Sequence, residues 1–153
     1  MKMFRTKYKT DRRGVSSIEF ALACPTMLLL FCGMADFGMA LWDKSMLANA
    51  VAQGAYYSYL SGISVSSTTV KTFVQGASKL SSVSATVTGP SCYCMTGFPA
   101  ALASATCGST CSDTTIAGYY MKITATYTYS SILPAYSTLN NPTLSESTIV
   151  RLQ

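Results

Sequence analysis

Apolar residues crowd the first third of the chain and then change their spacing twice. From Phe20 to Trp42 the only ionisable side chain is Asp36. Beyond it, Ala48, Val51, Ala52, Ala55, Tyr56 and Tyr59 recur at steps of three and four. This spacing predicts one helix from Val15 to about Leu60, with its outer half amphipathic and Gly62 as its stop. Ser64 to Thr69 reads as a polar loop in which Ser67 caps a second helix. That helix carries the stripe Val70, Phe73, Val74, Ala77 and Leu80.

From Ser82 the period becomes two. Val83, Ala85 and Val87 alternate with Ser84, Thr86 and Thr88, a strand that Gly89-Pro90 should end. Tyr119, Met121, Ile123, Ala125, Tyr127 and Tyr129 alternate with Tyr120, Lys122, Thr124, Thr126 and Thr128, the clearest strand in the chain. Leu144, Thr148, Val150 and Leu152 mark a last strand after an Asn140-Asn141-Pro142 turn. The expected fold is α+β: a long N-terminal helix, a short second helix, and a small three-stranded antiparallel sheet covered on one side by the long helix.

The 23 residues from Phe20 to Trp42 would span ~35 Å as a helix, enough to cross a bilayer core. Pro25 should bend that helix near Ala21, which transmembrane helices tolerate where neighbours satisfy the freed carbonyl. A cleaved secretory signal is the rival reading, but its apolar region is ordinarily shorter than this run. The signal-peptidase-like Ala48-Asn49-Ala50 lies well past the apolar core. Cys24 and Cys32 lie in the apolar run and read as buried thiols.

Charge sharpens the picture. The formal net charge of +5 is concentrated before the apolar run, where Lys2, Arg5, Lys7, Lys9, Arg12 and Arg13 face only Asp11. Residues 15–153 balance to zero. A basic arm ahead of an apolar helix keeps the N-terminus cytoplasmic and sends the remainder across. Three segments follow: a basic leader at 1–14, the helix at 15–62, and an extracytoplasmic α+β domain at 63–153. The remainder offers no folded basic face, so nucleic acid is not an expected partner. With no histidine in the chain, His-based acid–base chemistry is excluded. Outside the membrane region the carboxylates are Asp43, Asp113 and Glu146, far apart in sequence. The chain is therefore not read as an enzyme, and no cofactor is expected.

Cys92-Tyr93-Cys94 and Cys107-Gly108-Ser109-Thr110-Cys111 bracket a loop between two strands. On the oxidising side of a membrane, disulfides are the default for Cys92, Cys94, Cys107 and Cys111. Four cysteines allow three connectivities. A hairpin-like loop favours the nested one, Cys92 with Cys111 and Cys94 with Cys107. A zinc site built on all four is the alternative, although the tight Cys-x-Cys step is unlike the usual ligand spacing.

The most specific stretch is Arg12-Arg13-Gly14-Val15-Ser16-Ser17-Ile18-Glu19-Phe20. A basic arm ends in a glycine, and a carboxylate then stands at the mouth of an apolar segment. Such an acid costs ~2.5–3.5 kcal/mol at mid-bilayer and less near the surface, so its presence points to use. Arg13-Gly14 followed by Glu19-Phe20 resembles a type IV prepilin processing site. The run through Ala21-Leu22-Ala23-Cys24-Pro25, with Gly33-Met34-Ala35-Asp36-Phe37-Gly38 further on, is similar to the TadE-like pilus-assembly family. Asp36 stands where that family usually has Glu, and Met39 where Arg is common. Ala52-Gln53-Gly54-Ala55 matches it loosely.

The resemblance implies a minor pilin, pseudopilin or membrane-anchored assembly factor of a tight-adherence (Flp-type) pilus. Its partners would be a prepilin peptidase cutting between Gly14 and Val15, other pilins or pseudopilins with their assembly machinery, and membrane lipid. Cutting after Gly14 would remove the basic arm and expose an ammonium on Val15 for Glu19 of a neighbouring subunit, with Phe20 beside it in the recognition segment. The resemblance places the chain in a bacterial inner membrane, single-pass, with its domain periplasmic or carried to the pilus surface. The rival is an uncleaved signal-anchored domain that binds a partner in the periplasm.

Overall fold

A computed structural model describes residues 15–97, 101–132 and 142–152. The leader at 1–14, Gly14 included, and the Asn140-Asn141 part of the expected turn lie outside the described residues. The elements are α1 (Val15–Ser61), a short 3₁₀ turn (Gly62–Ser64), α2 (Ser67–Ala77), β1 (Ser84–Thr96), β2 (Ala101–Ser104), β3 (Gly118–Thr128) and β4 (Thr143–Arg151). Contacts divide the chain into two units, Met1–Gly38 and Met39–Gln153.

In the first unit α1 is helical from Val15 onward and runs through Pro25 without interruption. In the second, α1 ends where expected. Gly62 takes a positive φ of 65°, a conformation open to glycine at little steric cost. The chain enters α2 at Ser67, with Ser66 rather than Ser67 as its N-cap, and the Ser66 side chain makes no capping bond. The capping position therefore rests on backbone geometry alone, the Val70 amide donating to the Ser66 carbonyl at 3.1 Å.

The sheet has four antiparallel strands in the order β2-β1-β3-β4, one more than the alternation predicts. Ala85 faces Ala125 and Val87 faces Ile123 across β1–β3, while Ile123 faces Thr148 and Met121 faces Val150 across β3–β4. Gly89-Pro90 does not end β1. The register shifts between Thr88 and Ser91, so the proline sits in a β-bulge, one of the few strand positions that accept it. Strand β2 pairs β1 only from Tyr93 to Thr96, beyond the proline. Gly89 has φ 106°, and a Cβ there would lie 2.6 Å from the Tyr120 carbonyl oxygen. The missed strand β2 is Ala101-Leu102-Ala103-Ser104, which shows no alternation. It is a strand because the returning chain lies beside Tyr93–Thr96.

One core joins Leu47, Ala50 and Val51 of α1, Val70 and Val74 of α2, and Ala85, Met121, Ile123 and Ala125 of the sheet. The face of α1 that enters this core differs from the expected one. Val51 is buried, but Ala48, Ala52, Tyr56 and Tyr59 are exposed, and the buried line is Leu47, Ala50, Val51, Gly54 and Ser58. Gly54 and Ser58 explain the rotation. Small residues let α2 approach closely, and the Ser58 hydroxyl is satisfied by donating to the Gly54 carbonyl at 2.8 Å.

A Cβ at Gly54 would collide with the Val74 methyl Cγ2. Val74 is fully buried and β-branched, so it has little rotamer freedom in a helix. Gly54→Ala gains about 1 kcal/mol of helix propensity but overpacks the α1–α2 contact, which costs about 1–3 kcal/mol. The substitution is expected to lower the thermal midpoint of the detergent-solubilised chain. A raised midpoint would show that α2 can retreat freely from α1.

Candidate functional site

The residues singled out in the sequence fall into two groups. The first is on the N-terminal half of α1. Val15 is the first residue of α1. Glu19 is exposed one turn further on, and Phe20 beside it is 70% exposed. Phe31, Phe37, Leu22, Met27 and Leu28 to Leu30 are exposed too. This helix is long and apolar enough to cross a membrane, and its most apolar window is not buried against protein at all. The core helix of a soluble protein would be mostly buried, so α1 is a candidate membrane anchor. Cys24 and Cys32 are free thiols, Cys24 half-buried and Cys32 exposed, so among the described residues neither is buried as expected. Asp36 is half-buried.

The second group is the four cysteines, which form two disulfides, Cys92–Cys107 and Cys94–Cys111, with Cα–Cα distances of 5.2 and 5.7 Å. The nested pairing is wrong, and the path of the chain shows why. Strand β2 runs antiparallel to β1 and brings the Ala105 amide to the Cys92 carbonyl, so Cys107 arrives beside Cys92. A turn then reverses the chain, with the Ser109 amide donating to the Thr106 carbonyl at 3.0 Å. Residues 107 to 111 therefore progress in the same sense as residues 92 to 94, and Cys111 reaches Cys94. A second tight turn follows, closed by the Cys111 amide on the Thr115 carbonyl and by a bridge between Thr110 and Ile116. At its tip the Thr115 hydroxyl donates to Asp113 Oδ1 at 2.6 Å and the Thr115 amide at 3.2 Å. These bonds, the hydroxyl first, hold the Asp113 carboxyl below its ordinary value. Cys94, Cys111 and Ala117 form a small cluster of their own, separate from the main core.

The tyrosines of β3 and the one just after it serve the fold: Tyr120 and Tyr129 are buried, and Tyr119 and Tyr127 pack against the main core. Lys44 of α1 pairs with Glu146 of β4 at 3.6 Å, both partly exposed, a contact worth little on its own. Sequence reasoning missed the outward face of α1 beyond Trp42, where Tyr56, Tyr59 and Leu60 stand exposed. The available signal was the absence of any charged residue between Lys44 and Lys71.

Within α1 the exposed apolar run begins directly after Glu19. Residues 14–55 match the model of the family described as TadE-like protein. They form a TadE-like segment. It begins at Gly14, contains Glu19, Phe20, Pro25 and Asp36, and ends at Ala55, beside the buried Gly54. No curated protein and no solved structure matches the chain significantly. The TadE-like segment supports involvement in Tad/Flp pilus assembly and association with pilus-assembly components in general.

Proposed function

We propose that this chain is a minor pilin, pseudopilin or membrane-anchored assembly factor of a tight-adherence (Flp-type) pilus, processed by a prepilin peptidase after Gly14. The observation that carries this reading is the uncovered apolar run of α1 from Phe20 to Trp42, with Glu19 at its entrance, a run that lies wholly within the TadE-like segment. The basic leader keeps the N-terminus cytoplasmic, and the disulfide-bonded domain stands on the oxidising side. Gly14 offers a protease close access to the backbone because it has no side chain. Cleavage removes the basic arm and leaves an ammonium on Val15. In an apolar stack of helices that cation pairs with Glu19 of an adjacent subunit. The pair offsets part of the cost of holding an acid in an apolar setting, and it sets the register between neighbouring helices. The reading assigns the chain no catalytic role.

N-terminal sequencing of the protein recovered from bacterial membranes tests this directly. The mature chain is expected to begin at Val15. The alternative, an uncleaved signal-anchored interaction domain, requires a chain that retains residues 1–14.

A further inference from the structure

We propose that α1 carries a pairing seam from Trp42 to Tyr59, through which two copies of this chain associate in parallel and in register. A helix lying on a globular domain ordinarily turns a charged or polar face outward. Here the buried line Leu47, Ala50, Val51, Gly54 and Ser58 faces the domain. The charged residues of this stretch, Asp43 and Lys44, lie at its start, and no other charge occurs before Lys71. The outward face is uncharged and largely apolar, with Trp42, Tyr56 and Leu60 each about two-thirds exposed.

The positions on that face fit a two-helix register, with Trp42, Ala52, Tyr56 and Tyr59 as its apolar or aromatic members. Trp42, Ser45, Asn49, Ala52, Tyr56 and Tyr59 follow steps of 3, 4, 3, 4 and 3, and all six are exposed. That is the a/d repeat of a two-helix seam. In this frame the residues facing the domain fall at b, c and f, so one helix serves both contacts without conflict. Ser45 and Ala52 are small enough for close approach. Asn49 is a lone amide at an a position, a device that fixes register and favours two strands. Beside the seam, between α1 and α2, lies a groove of about 540 Å³ lined by Asn49, Ala52, Tyr56, Tyr57 and Phe73. Tyr57 and Phe73 stack there with ring centroids 5.2 Å apart, and the groove has room for an aromatic side chain of the second copy.

Lipid does not account for this face. Tyr56 lies 14 residues past Trp42, ~21 Å along the helix, whereas an interfacial aromatic sits at headgroup level. Burying the exposed parts of Trp42, Tyr56, Tyr59 and Leu60 would cover roughly 500 Å² per copy, about 1,000 Å² in total, the size of a weak, transient interface. Two copies confined to one membrane meet at high effective concentration, which suits such a modest contact. The parallel orientation rests on the membrane anchor proposed above, while the seam rests on the domain.

The test uses the full chain in membranes, with Cys24→Ser and Cys32→Ser to remove the free thiols. Asn49→Cys and Ala52→Cys are introduced singly, with Lys71→Cys on the exposed side of α2 as the off-seam control. Mild oxidation and non-reducing electrophoresis should show a product of twice the chain mass for both seam positions and none for Lys71→Cys. Adding Ala52→Glu to Asn49→Cys should abolish that product, because a buried unpaired carboxylate is unfavourable. Asn49, Ala52 and Lys71 are exposed in the single chain, and retention of both native disulfides checks folding. Absence of dimer at both seam positions, equal crosslinking at Lys71→Cys, or a product of another mass would overturn the proposal. Sequencing the N-terminus of the same preparations separates the two readings. A dimer that still begins at Met1 defeats the processing step and leaves the seam standing, whereas a processed chain with no dimer defeats the seam alone.

Discussion

Glu19→Gln and Glu19→Ala are expected to leave cleavage after Gly14 largely intact while pilus assembly falls to background. The two steps use different chemistry. The peptidase needs a glycine beside the scissile bond and an accessible helix entrance, and neither changes. Assembly, on the proposed mechanism, uses the charge. Glu19 is exposed on α1, and among the described residues no ion pair to it occurs; its proposed partner is the Val15 ammonium of the next subunit. Removing one member of an ion pair in an apolar setting costs about 3–5 kcal/mol. That is roughly a 10²-fold to 4 × 10³-fold loss in the assembly equilibrium. Gln keeps the shape and hydrogen-bonding reach of Glu, so a defect common to Gln and Ala isolates the charge. Processing is read from the N-terminal sequence and assembly from sheared surface fibres. Normal fibre yield with Gln would remove the charge pair from the mechanism.

The second large effect concerns the disulfides. Each closes a loop of 15 or 17 residues, worth about 3 kcal/mol in the chain-entropy model. The segment they hold has little else. Residues 112–116 are exposed, and the local cluster contains only Cys94, Cys111 and Ala117 as buried members. Losing a disulfide should therefore loosen the 105–116 segment while the main core of α1, α2 and the sheet persists. Limited proteolysis is expected to nick that segment first. The pairing itself can be read by thiol counting. Cys92→Ser with Cys107→Ser removes a bonded pair, so the free thiols remain Cys24 and Cys32. Cys92→Ser with Cys111→Ser leaves Cys94 and Cys107 without their partners, and both should become reactive to maleimide. Unchanged thiol reactivity in that second variant, with new thiols in the first, would restore the nested arrangement.

These two regions differ in how far they can be read without coordinates. The anchor is written in composition. An apolar run of this length, a basic arm before it and an acid at its mouth are local facts, and neither lipid nor a neighbouring helix alters them. Both helices and three of the four strands follow from periodicity, because a period of 3.6 or 2 reflects which side chains share a face. Gly62 ends α1 for a reason internal to glycine.

What depended on packing was not legible. The face of α1 turned by about one residue because Gly54 and Ser58 permit a close approach that larger apolar residues would block, and a search for apolar positions passes over glycine and serine. Strand β2 has no pattern of its own and exists through its pairing with Tyr93–Thr96. Gly89-Pro90 reads as a stop, yet a bulge carries β1 through it. The disulfide partners depend on one turn at Thr106–Ser109 that reverses the sense of the chain. Sequence alone therefore determined the apolar run, the basic arm before it and the kinds of elements, since these are set by local chemistry. Tertiary structure alone decided which helix face is covered and which cysteines meet, because both depend on where distant segments come to lie.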